Sequence, residues 1–302
     1  MSVVAGADVG GTKTIAAVAE GDRELVRVSG PGAAVRPDRA MSSATTLARV
    51  VRSALNQIGR LRVDALVVGA AGVGRDPERR ALRDALRVED LADRLHVTTD
   101  VEIALEAAFP ASPGVVLLVG TGSVAVARLP DGRILRQGGY GWQMGDDGSG
   151  YALGRTALVQ VGHAQDGRGP ATALLATLCT AIRSDGFQDL VRWAANAEPA
   201  EVASLAGPVL TAAEGGDSVA TRVVDQAATE LSAHVAALAT QFSMEATVPT
   251  ALGGGLLGHP TYRRAVQEAL GRIPGVQIIP EPIDPVLGAL EMARRLLDAP
   301  RS

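Results

Sequence analysis

The sequence predicts an α/β protein in which one strand-rich unit occurs twice. A strand, a turn of glycine and threonine, a second strand, a turn and a third strand open the chain, and this order returns after the breaker-rich residues 110–114. Hairpins can recur by chance, but here the turn chemistry recurs together with the strand order. We therefore expect one domain over residues 1–112, joined by a C-terminal helix at about 286–298, and a second over 113–302 with a helical insertion at about 162–215.

Strands and helices alternate through the first half of the chain. Apolar Leu47, Val51 and Leu55 recur at helical spacing, whereas the predicted strands are short apolar runs bounded by turn residues. The predicted strands are residues 3–9, 14–19, 25–29, 65–69 and 95–99, and the predicted helices are 39–59, 77–86 and 101–108.

The second half repeats the strand pattern and then becomes helical. Residues 150–241 are rich in alanine, with glycine and proline at the joints, and 218–242 is the clearest long helix. The end of the chain returns to alternating strands and helices. The predicted strands are residues 115–119, 124–129, 134–137, 247–252 and 276–279, and the closing helices are 258–270 and 286–297.

Composition narrows the classes of protein. A net charge of −4 and a pI of about 5.6 argue against nucleic acid or an anionic membrane as the main partner. No apolar run is long enough to cross a bilayer and no signal-peptide pattern opens the chain, so we expect a soluble cytoplasmic protein. The single cysteine, Cys179, leaves no intrachain disulfide and no thiolate cluster for a metal. The four histidines lack ligand spacing, and we expect structural or surface roles for His96, His163, His234 and His259.

The first glycine turn contains Lys13, the only lysine among 29 lysines and arginines. Glycines let main-chain N–H groups approach an oxygen closely, and a lysine ammonium acts as a compact charge beside phosphate. The alternative is an ordinary β-hairpin whose lysine is there by chance. We favour a phosphate-binding loop made by Gly10, Gly11, Thr12 and Lys13.

Two further glycine turns have chemistry that suits a nucleotide. Residues 120–123 follow a strand as the first turn does, and matching loops in a duplicated fold predict a phosphate chain held from both domains, across the cleft between them. Residues 253–255 lie between a strand and a helix, where a nucleoside could pack flat against the backbone. The alternative there is a close strand-to-helix turn. The residues concerned are Gly120, Thr121, Gly122 and Ser123 in one turn and Gly253, Gly254 and Gly255 in the other.

Acidic residues stand at two further points that suit a catalytic site. Asp100 lies between a strand and a helix, where a carboxylate can cap the helix and can also accept the proton of an attacking hydroxyl; the two roles are compatible. Residues 138–151 hold six glycines, three aromatics and the adjacent acids Asp146 and Asp147, a composition that suits a small polar ligand. A calcium loop is the alternative, but the acids lack alternating ligand spacing.

Together these motifs resemble the BadF/BadG/BcrA/BcrD-type ATPases of the actin-like sugar kinase, Hsp70 and hexokinase superfamily, and within it the N-acetylglucosamine kinase and hexokinase-like branch. Residues 8–14 are similar to its first phosphate motif, 119–123 to the second and 252–255 to the adenosine motif. Residues 141–149 are similar to a segment peculiar to the family. The resemblance covers nearly the whole chain, with 162–215 fitting least well, and implies duplicated RNase H-like (actin-like ATPase) domains with an inter-domain cleft.

Position by position, the resemblance implies a role for each motif. Asp100 matches the catalytic base, and Asp8 matches the acid that holds Mg²⁺ through water. Sugar-binding positions are implied at Asp100, Thr121, Gly139 and Asp146. The resemblance further implies a small-molecule sugar as partner, neither nucleic acid nor membrane, and a homodimer. ATP is implied at Gly10, Gly11, Thr12, Lys13, Gly120, Thr121, Gly122, Ser123, Gly253, Gly254 and Gly255.

The implied reaction is ATP-dependent phosphorylation of the 6-hydroxyl of an amino sugar or hexose. Kinases specific for N-acetylglucosamine tend to carry asparagine at two positions where this chain has Ala34 and Val124, so a broad-specificity hexokinase, a glucosamine kinase or an N-acetylmuramic acid kinase stays open. Arg36 and Asp146 are the first candidates to replace the lost amides. The alternative of another class is an ATPase activator of a radical dehydratase or CoA-ester reductase. Such an activator would need two cysteines per subunit for its iron–sulfur cluster, and this chain has one, so we disfavour it. A non-catalytic sugar sensor would not need Asp100 and both phosphate loops.

Overall fold

The computed structural model describes residues 2–35, 39–243 and 246–298 and divides into two units. Unit 1 consists of Met1–Ser112 with Ile283–Ser302, and unit 2 consists of Pro113–Pro282. Each unit contains one five-stranded sheet. In chain order the elements are β1 Val3–Val9, β2 Lys13–Glu20, β3 Arg23–Pro31, α1 Ala40–Gln57, β4 Val63–Ala70, α2 Asp76–Val88, β5 Ala92–Thr99, α3 Asp100–Ala108, β6 Gly114–Val119, β7 Ser123–Arg128, β8 Ile134–Gly138, α4 Gly150–Gln165, α5 Leu174–Ile182, α6 Phe187–Asn196, α7 Pro199–Ser204, α8 Ala206–Glu214, α9 Ser218–Ala239, β9 Val248–Gly253, α10 Pro260–Leu270, β10 Val276–Ile279 and α11 Pro285–Asp298.

The two sheets have the same topology. In unit 1 the strand order is β3-β2-β1-β4-β5, in which β1, β2 and β3 are antiparallel neighbours while β4 and β5 run parallel to β1. In unit 2 the order β10-β9-β6-β7-β8 repeats these directions from the opposite edge. Antiparallel strands need only a short turn, whereas parallel neighbours need a crossover, which the helices supply. The repeated topology confirms the predicted duplicated α/β fold.

Helices from the middle of the chain complete the core of unit 2. Leu178 of α5, Leu210 of α8 and Leu231 of α9 are fully buried in one apolar cluster with Leu117 of β6. Burying each of these side chains stabilises the fold by about 1.5–3 kcal/mol. Cys179 lies in the same cluster and is only 7% exposed, so its thiol faces the core of unit 2.

Three glycines let α3 and α11 pack closely against the sheet of unit 1. A Cβ on Gly69 of β4 would lie 2.3 Å from Ile103 Cδ1, and one on Gly288 of α11 would lie 1.9 Å from the Ile103 carbonyl oxygen. A Cβ on Gly6 of β1 would lie 2.8 Å from the main-chain nitrogen of Leu290. Because only hydrogen fits at these positions, α3 and α11 pack closely on the sheet and on each other. Helix α3 begins at the carboxyl edge of the sheet, where β1, β4 and β5 all end.

The helices differ from the prediction mainly at their ends. The helix expected from residue 258 begins at Pro260, and a 3-10 turn, Gly255–Gly258, precedes it. Proline disfavours helical geometry in the residue before it, so His259 is extended and the α-helix starts one residue later. The long helix expected to reach residue 242 ends at Ala239. Among the described residues, no helix combines the length and apolar character required to cross a bilayer.

Candidate functional site

Asp8 lies near the carboxyl end of β1, on the sheet face that α3 covers. It pairs in register with Gly69, whose open side meets α3. Burial, and then the charges of Asp100 and Asp284, raise the pKa of the Asp8 carboxyl from its ordinary 3.8 to about 6. The charge of Lys13 acts in the opposite direction on this pKa. The carboxylates therefore repel one another at this edge of the sheet, and a bound cation would relieve the repulsion.

Asp100 is the first residue of α3 and does not cap it, which corrects the capping role considered from the sequence. Thr99 is the N-cap, since its hydroxyl oxygen accepts a hydrogen bond from the Glu102 main-chain N–H at 3.2 Å. The Oδ1 atom of Asp100 accepts from the Val101 N–H at 3.0 Å. The choice between adjacent residues follows from the backbone, because Thr99 has the extended geometry of a cap. A carboxylate in the first turn is also favoured by the helix dipole.

Asp284 is a third acid of this edge that the sequence analysis missed. It directly precedes α11, and its Oδ1 accepts from the Val286 N–H at 3.3 Å. Its other oxygen accepts from Arg27 of β3 at 2.7 Å, so the side chain is held at two points. An aspartate before Pro285 is a typical helix start and could have been recognised as one. The effect of the Asp284 charge on the pKa of Asp8 could not have been recognised from the sequence, because it depends on how α11 packs on the sheet.

The first glycine turn is supported by the loop that follows β3. The Gly10 N–H donates to the Lys13 carbonyl oxygen at 2.9 Å, and the Gly10 carbonyl oxygen accepts from the N–H groups of Ala33 and Ala34. Apart from Gly11 itself and its two chain neighbours, no described residue has an atom within 4 Å of the place where a Cβ on Gly11 would be. The turn is thus fixed on one side and open on the other, as an anion-binding loop requires. Thr12 and Lys13 are exposed there, and Arg36 lies outside the described residues.

The second glycine turn directly contacts Asp146, a position that the family resemblance implies is sugar-binding. The Ser123 N–H donates to Asp146 Oδ1 at 3.4 Å, and a Cβ on Gly122 would lie 2.9 Å from Asp146 Oδ2. Asp146 itself has the left-handed φ of 60°, which few non-glycine residues adopt. Burial raises the pKa of Asp146, although the Ser123 N–H and the charge of Arg136 act to lower it. A strained, half-buried carboxylate beside a phosphate loop is typical of a binding site.

Further hydrogen bonds join this turn to residues 138–151, called here the sugar segment. The Ser123 hydroxyl donates to the Asp147 carbonyl oxygen at 2.6 Å. The Gly150 N–H donates to the Gly120 carbonyl oxygen at 2.8 Å, and the Tyr151 N–H donates to that of Thr121 at 3.2 Å. The two predicted binding segments, twenty to thirty residues apart in the chain, therefore form one hydrogen-bonded surface in unit 2.

Gly139 lies where the sugar segment leaves β8. Its φ is 68°, and a Cβ there would lie 3.0 Å from Val124 Cβ and 2.4 Å from the Arg136 guanidinium. Arg136 donates to the carbonyl oxygens of Gly138 and Gly139 and so fixes the start of the segment. Both the conformation and the close contacts require glycine at this position.

The triglycine run lies against the second turn. Gly253 ends β9, and Gly254, with a φ of 95°, would place a Cβ only 2.3 Å from the Val119 carbonyl oxygen. Gly255 is exposed, with no described atom within 4 Å of its Cβ position. Unit 2 thus contains the second glycine turn, the sugar segment and the triglycine run, whereas Asp8, Lys13 and Asp100 belong to unit 1. Within the described ranges no group of three histidine, cysteine or acidic side chains has the geometry to hold a metal ion.

Comparisons with known proteins identify the family of this chain and related kinases. A sequence model of the BadF/BadG/BcrA/BcrD ATPase family matches residues 5–293. An N-acetylmuramic acid/N-acetylglucosamine kinase from Clostridium acetobutylicum is 28% identical over 306 aligned residues, covering 99% of this chain and 100% of that protein. An N-acetyl-D-glucosamine kinase from Dictyostelium discoideum is 26% identical, covering 95% and 96%. A crystal structure from Chromobacterium violaceum, provisionally named an N-acetylglucosamine kinase, is 28% identical with a TM-score of 0.79, covering 96% of this chain and 98% of that one.

Proposed function

This chain belongs to the BadF/BadG/BcrA/BcrD ATPase family, and on that basis we propose that it is an ATP-dependent sugar kinase acting on the 6-hydroxyl of an amino sugar or hexose. The observation that carries the proposal is the contact between Asp146 and the turn that contains Ser123. An attacking hydroxyl must come within about 3–3.5 Å of the phosphorus, so a kinase needs its sugar site next to a phosphate loop. The kinase activities named for the relatives support the same reaction.

In the proposed mechanism Asp100 is the general base. It accepts the proton of the 6-hydroxyl as that oxygen bonds to the γ-phosphorus, while the bond to the β-phosphate oxygen breaks and ADP leaves with its electron pair. The N–H groups of both glycine turns and the Lys13 ammonium stabilise negative charge on the phosphates. Asp146 accepts hydrogen bonds from sugar hydroxyls and so orients the acceptor.

The acids of unit 1 fit a magnesium ion held through water. Mg²⁺ prefers carboxylate oxygens and keeps several of its waters, and Asp8 and Asp100 lie close enough for their charges to interact. Burial and the neighbouring acids, which raise the pKa of Asp8, disfavour its charged form, and a cation would favour it; this supports a cation at Asp8. We assign Asp8 to the ion, which when bound neutralises charge on the phosphate oxygens.

The test of this function is a sugar panel with MgATP. We expect ADP release and a 6-phosphorylated product, identified by NMR, with at least one of N-acetylglucosamine, glucosamine, glucose or N-acetylmuramic acid. Absence of sugar-dependent ADP release across the panel would contradict the proposal. The dehydratase-activator alternative gains no support from the structure, because the one thiol, Cys179, is buried in the core of unit 2.

We expect broader sugar specificity than a strict N-acetylglucosamine kinase shows. The Ala34 main chain supports the first turn, and the Val124 side chain contacts the backbone at Gly139. Neither side chain can form a hydrogen bond with a sugar substituent. A site with buried hydrogen-bonding groups rejects an analogue that lacks the matching substituent far more strongly than an apolar site does. The measurement is kcat/KM for glucose, glucosamine and N-acetylglucosamine, with Val124→Asn expected to shift preference toward N-acetylglucosamine. A preference above about a thousandfold in the unmodified protein, or about 4 kcal/mol, would mean that other groups replace the amides.

Lys13 is expected to assist nucleotide binding without supporting the fold. Its side chain is exposed beside the open side of the first turn, so Lys13→Met should leave the thermal midpoint nearly unchanged. The nucleotide KM should rise by about tenfold, since a charge-assisted contact to phosphate is lost. Lys13→Arg keeps the charge but changes its geometry. Its nucleotide KM should lie between the values for the unmodified protein and for Lys13→Met. Unaltered nucleotide KM and kcat in Lys13→Met would remove Lys13 from this role.

A further inference from the structure

Helix α9 lies beneath both ends of the sugar segment. A Cβ on Gly138 would lie 3.0 Å from His234 Cε1, and one on Gly148 would lie 2.4 Å from Leu231 Cγ. Both glycines have φ near 70°, so conformation and contact together require them. The segment is therefore pressed onto α9 at two points about one helical turn apart.

Helix α10 holds the same segment through a buried hydroxyl. Tyr262 has no exposed surface, and its hydroxyl donates to the carbonyl oxygen of Gly148, which is 114 residues away in the chain. Burial raises the pKa of Tyr262 far above its ordinary value, so the hydroxyl remains a donor at all working pH values. Gly148 is two residues from Asp146, and a bond to its carbonyl restricts the backbone that carries the carboxylate.

His234 provides a second polar group beneath the segment. Its Nε2 atom is buried and has no hydrogen-bond partner among the described residues. The nearest acid, Asp147, has its Oδ2 atom 3.6 Å away, slightly beyond hydrogen-bonding distance. A buried ring nitrogen without a partner is costly, and a hydrogen bond from a protonated Nε2 to Asp147 would remove this cost and hold the segment against α9.

We propose that Tyr262 and His234 are positioning residues that fix the sugar segment on α9 and α10, and thereby place Asp146 for the sugar. The proposal rests on the proposed function, because Asp146 is taken to bind the substrate. Neither residue contacts the sugar. Tyr262 acts through the main chain of the segment at Gly148, and His234 acts through the side chain of Asp147. Their loss should therefore weaken use of the sugar and leave use of the nucleotide unchanged.

The first test is Tyr262→Phe, which removes only the hydroxyl. We expect kcat/KM for the sugar to fall by about tenfold, while the nucleotide KM stays within about twofold, because a loosened segment misplaces Asp146 and not the glycine turns. Thr250→Val is the matched control: it also removes a fully buried hydroxyl, one that donates to the Val248 carbonyl oxygen within β9. This control should leave both sugar and nucleotide constants within about twofold.

The second test compares two changes at His234. His234→Gln keeps an N–H donor near the position of Nε2 and should retain sugar kcat/KM within about threefold of the unmodified protein, whereas His234→Leu should lose about tenfold. If leucine and glutamine behave alike, the polar atom has no role. If Tyr262→Phe and Thr250→Val change sugar and nucleotide constants equally, Tyr262 serves only the stability of unit 2.

Direct binding separates failure of this inference from failure of the proposed function. Trp142 of the sugar segment lies 5.4 Å from the ring of Tyr151, and the chain has two tryptophans, so Trp193→Phe leaves Trp142 as the only one. In that background, a sugar titration should change Trp142 fluorescence, and Asp146→Asn should abolish the change. If Asp146→Asn loses the response while Tyr262→Phe binds sugar with the same affinity as the unmodified protein, the positioning role alone is overturned. If the Trp193→Phe protein shows no fluorescence change with any sugar and the unmodified protein phosphorylates none, both the positioning role and the proposed function are overturned.

Discussion

Asp100→Asn should lower kcat by about two to four orders of magnitude and leave the fold intact, because general-base catalysis contributes an effect of this size. The helix keeps its cap in this variant, since Thr99 and not Asp100 holds the N-terminus of α3. Asparagine can still accept from the Val101 N–H but cannot take a proton from the substrate. The measurement is the steady-state rate of sugar-dependent ADP release at saturating MgATP and sugar, with circular dichroism as the check on folding.

Glu102→Gln provides the matched control for charge at this helix end. It removes one negative charge from the same first turn of α3, where Glu102 accepts from the hydroxyls of Thr98 and Thr99. We expect kcat within a few-fold of the unmodified protein. A folded Asp100→Asn variant with near-normal turnover, or an equal loss in Glu102→Gln, would remove Asp100 from the role of base.

Asp8→Asn should abolish most turnover and yet stabilise the metal-free protein at about pH 8. Folding raises the pKa of Asp8 from 3.8 to about 6, so above pH 6 the ionised carboxylate opposes folding by up to about 3 kcal/mol. Between pH 3.8 and about pH 6, Asp8 keeps its proton in the folded state and loses it in the unfolded state. The free energy of unfolding therefore falls as the pH rises from 3.8 to about 6. Asparagine removes the penalty, which is absent below about pH 3.8 and complete above about pH 6.

Urea denaturation in a chelator at about pH 5 and pH 8 measures this effect. The gain in the free energy of unfolding for Asp8→Asn should be larger at pH 8 than at pH 5. Asp22→Asn is the control, because that side chain is fully exposed and its change should affect neither stability nor turnover. Equal stability of Asp8→Asn and the unmodified protein at pH 8 would contradict the buried-charge account, and retained turnover would contradict the assignment of Asp8 to the metal.

Local chemistry explains which parts of the fold the sequence predicted well. Strand β1, Val3–Val9, is apolar except for Gly6 and Asp8, and it ends at the Gly10-Gly11 turn. Both β1 and β10 were predicted at their observed bounds, because apolar runs and breakers are properties of neighbouring residues. The duplication was visible because the turn residues of a hairpin are themselves a signal. Predictions were weaker at helix ends, where Pro260 and Thr99, and not the apolar pattern, determine the first residue.

The sequence by itself determined the duplicated α/β fold, and it predicted the two glycine turns, the triglycine run and the acids Asp8, Asp100 and Asp146 as site residues to test. Only the tertiary structure joined Asp146 to Ser123, brought Asp284 near enough to act on Asp8, and placed Tyr262 under Gly148. These contacts connect residues far apart in the chain, and they form because glycines without a Cβ let helices and loops approach one another closely. Periodicity and turn chemistry are read from neighbours, whereas such approaches depend on how whole elements pack.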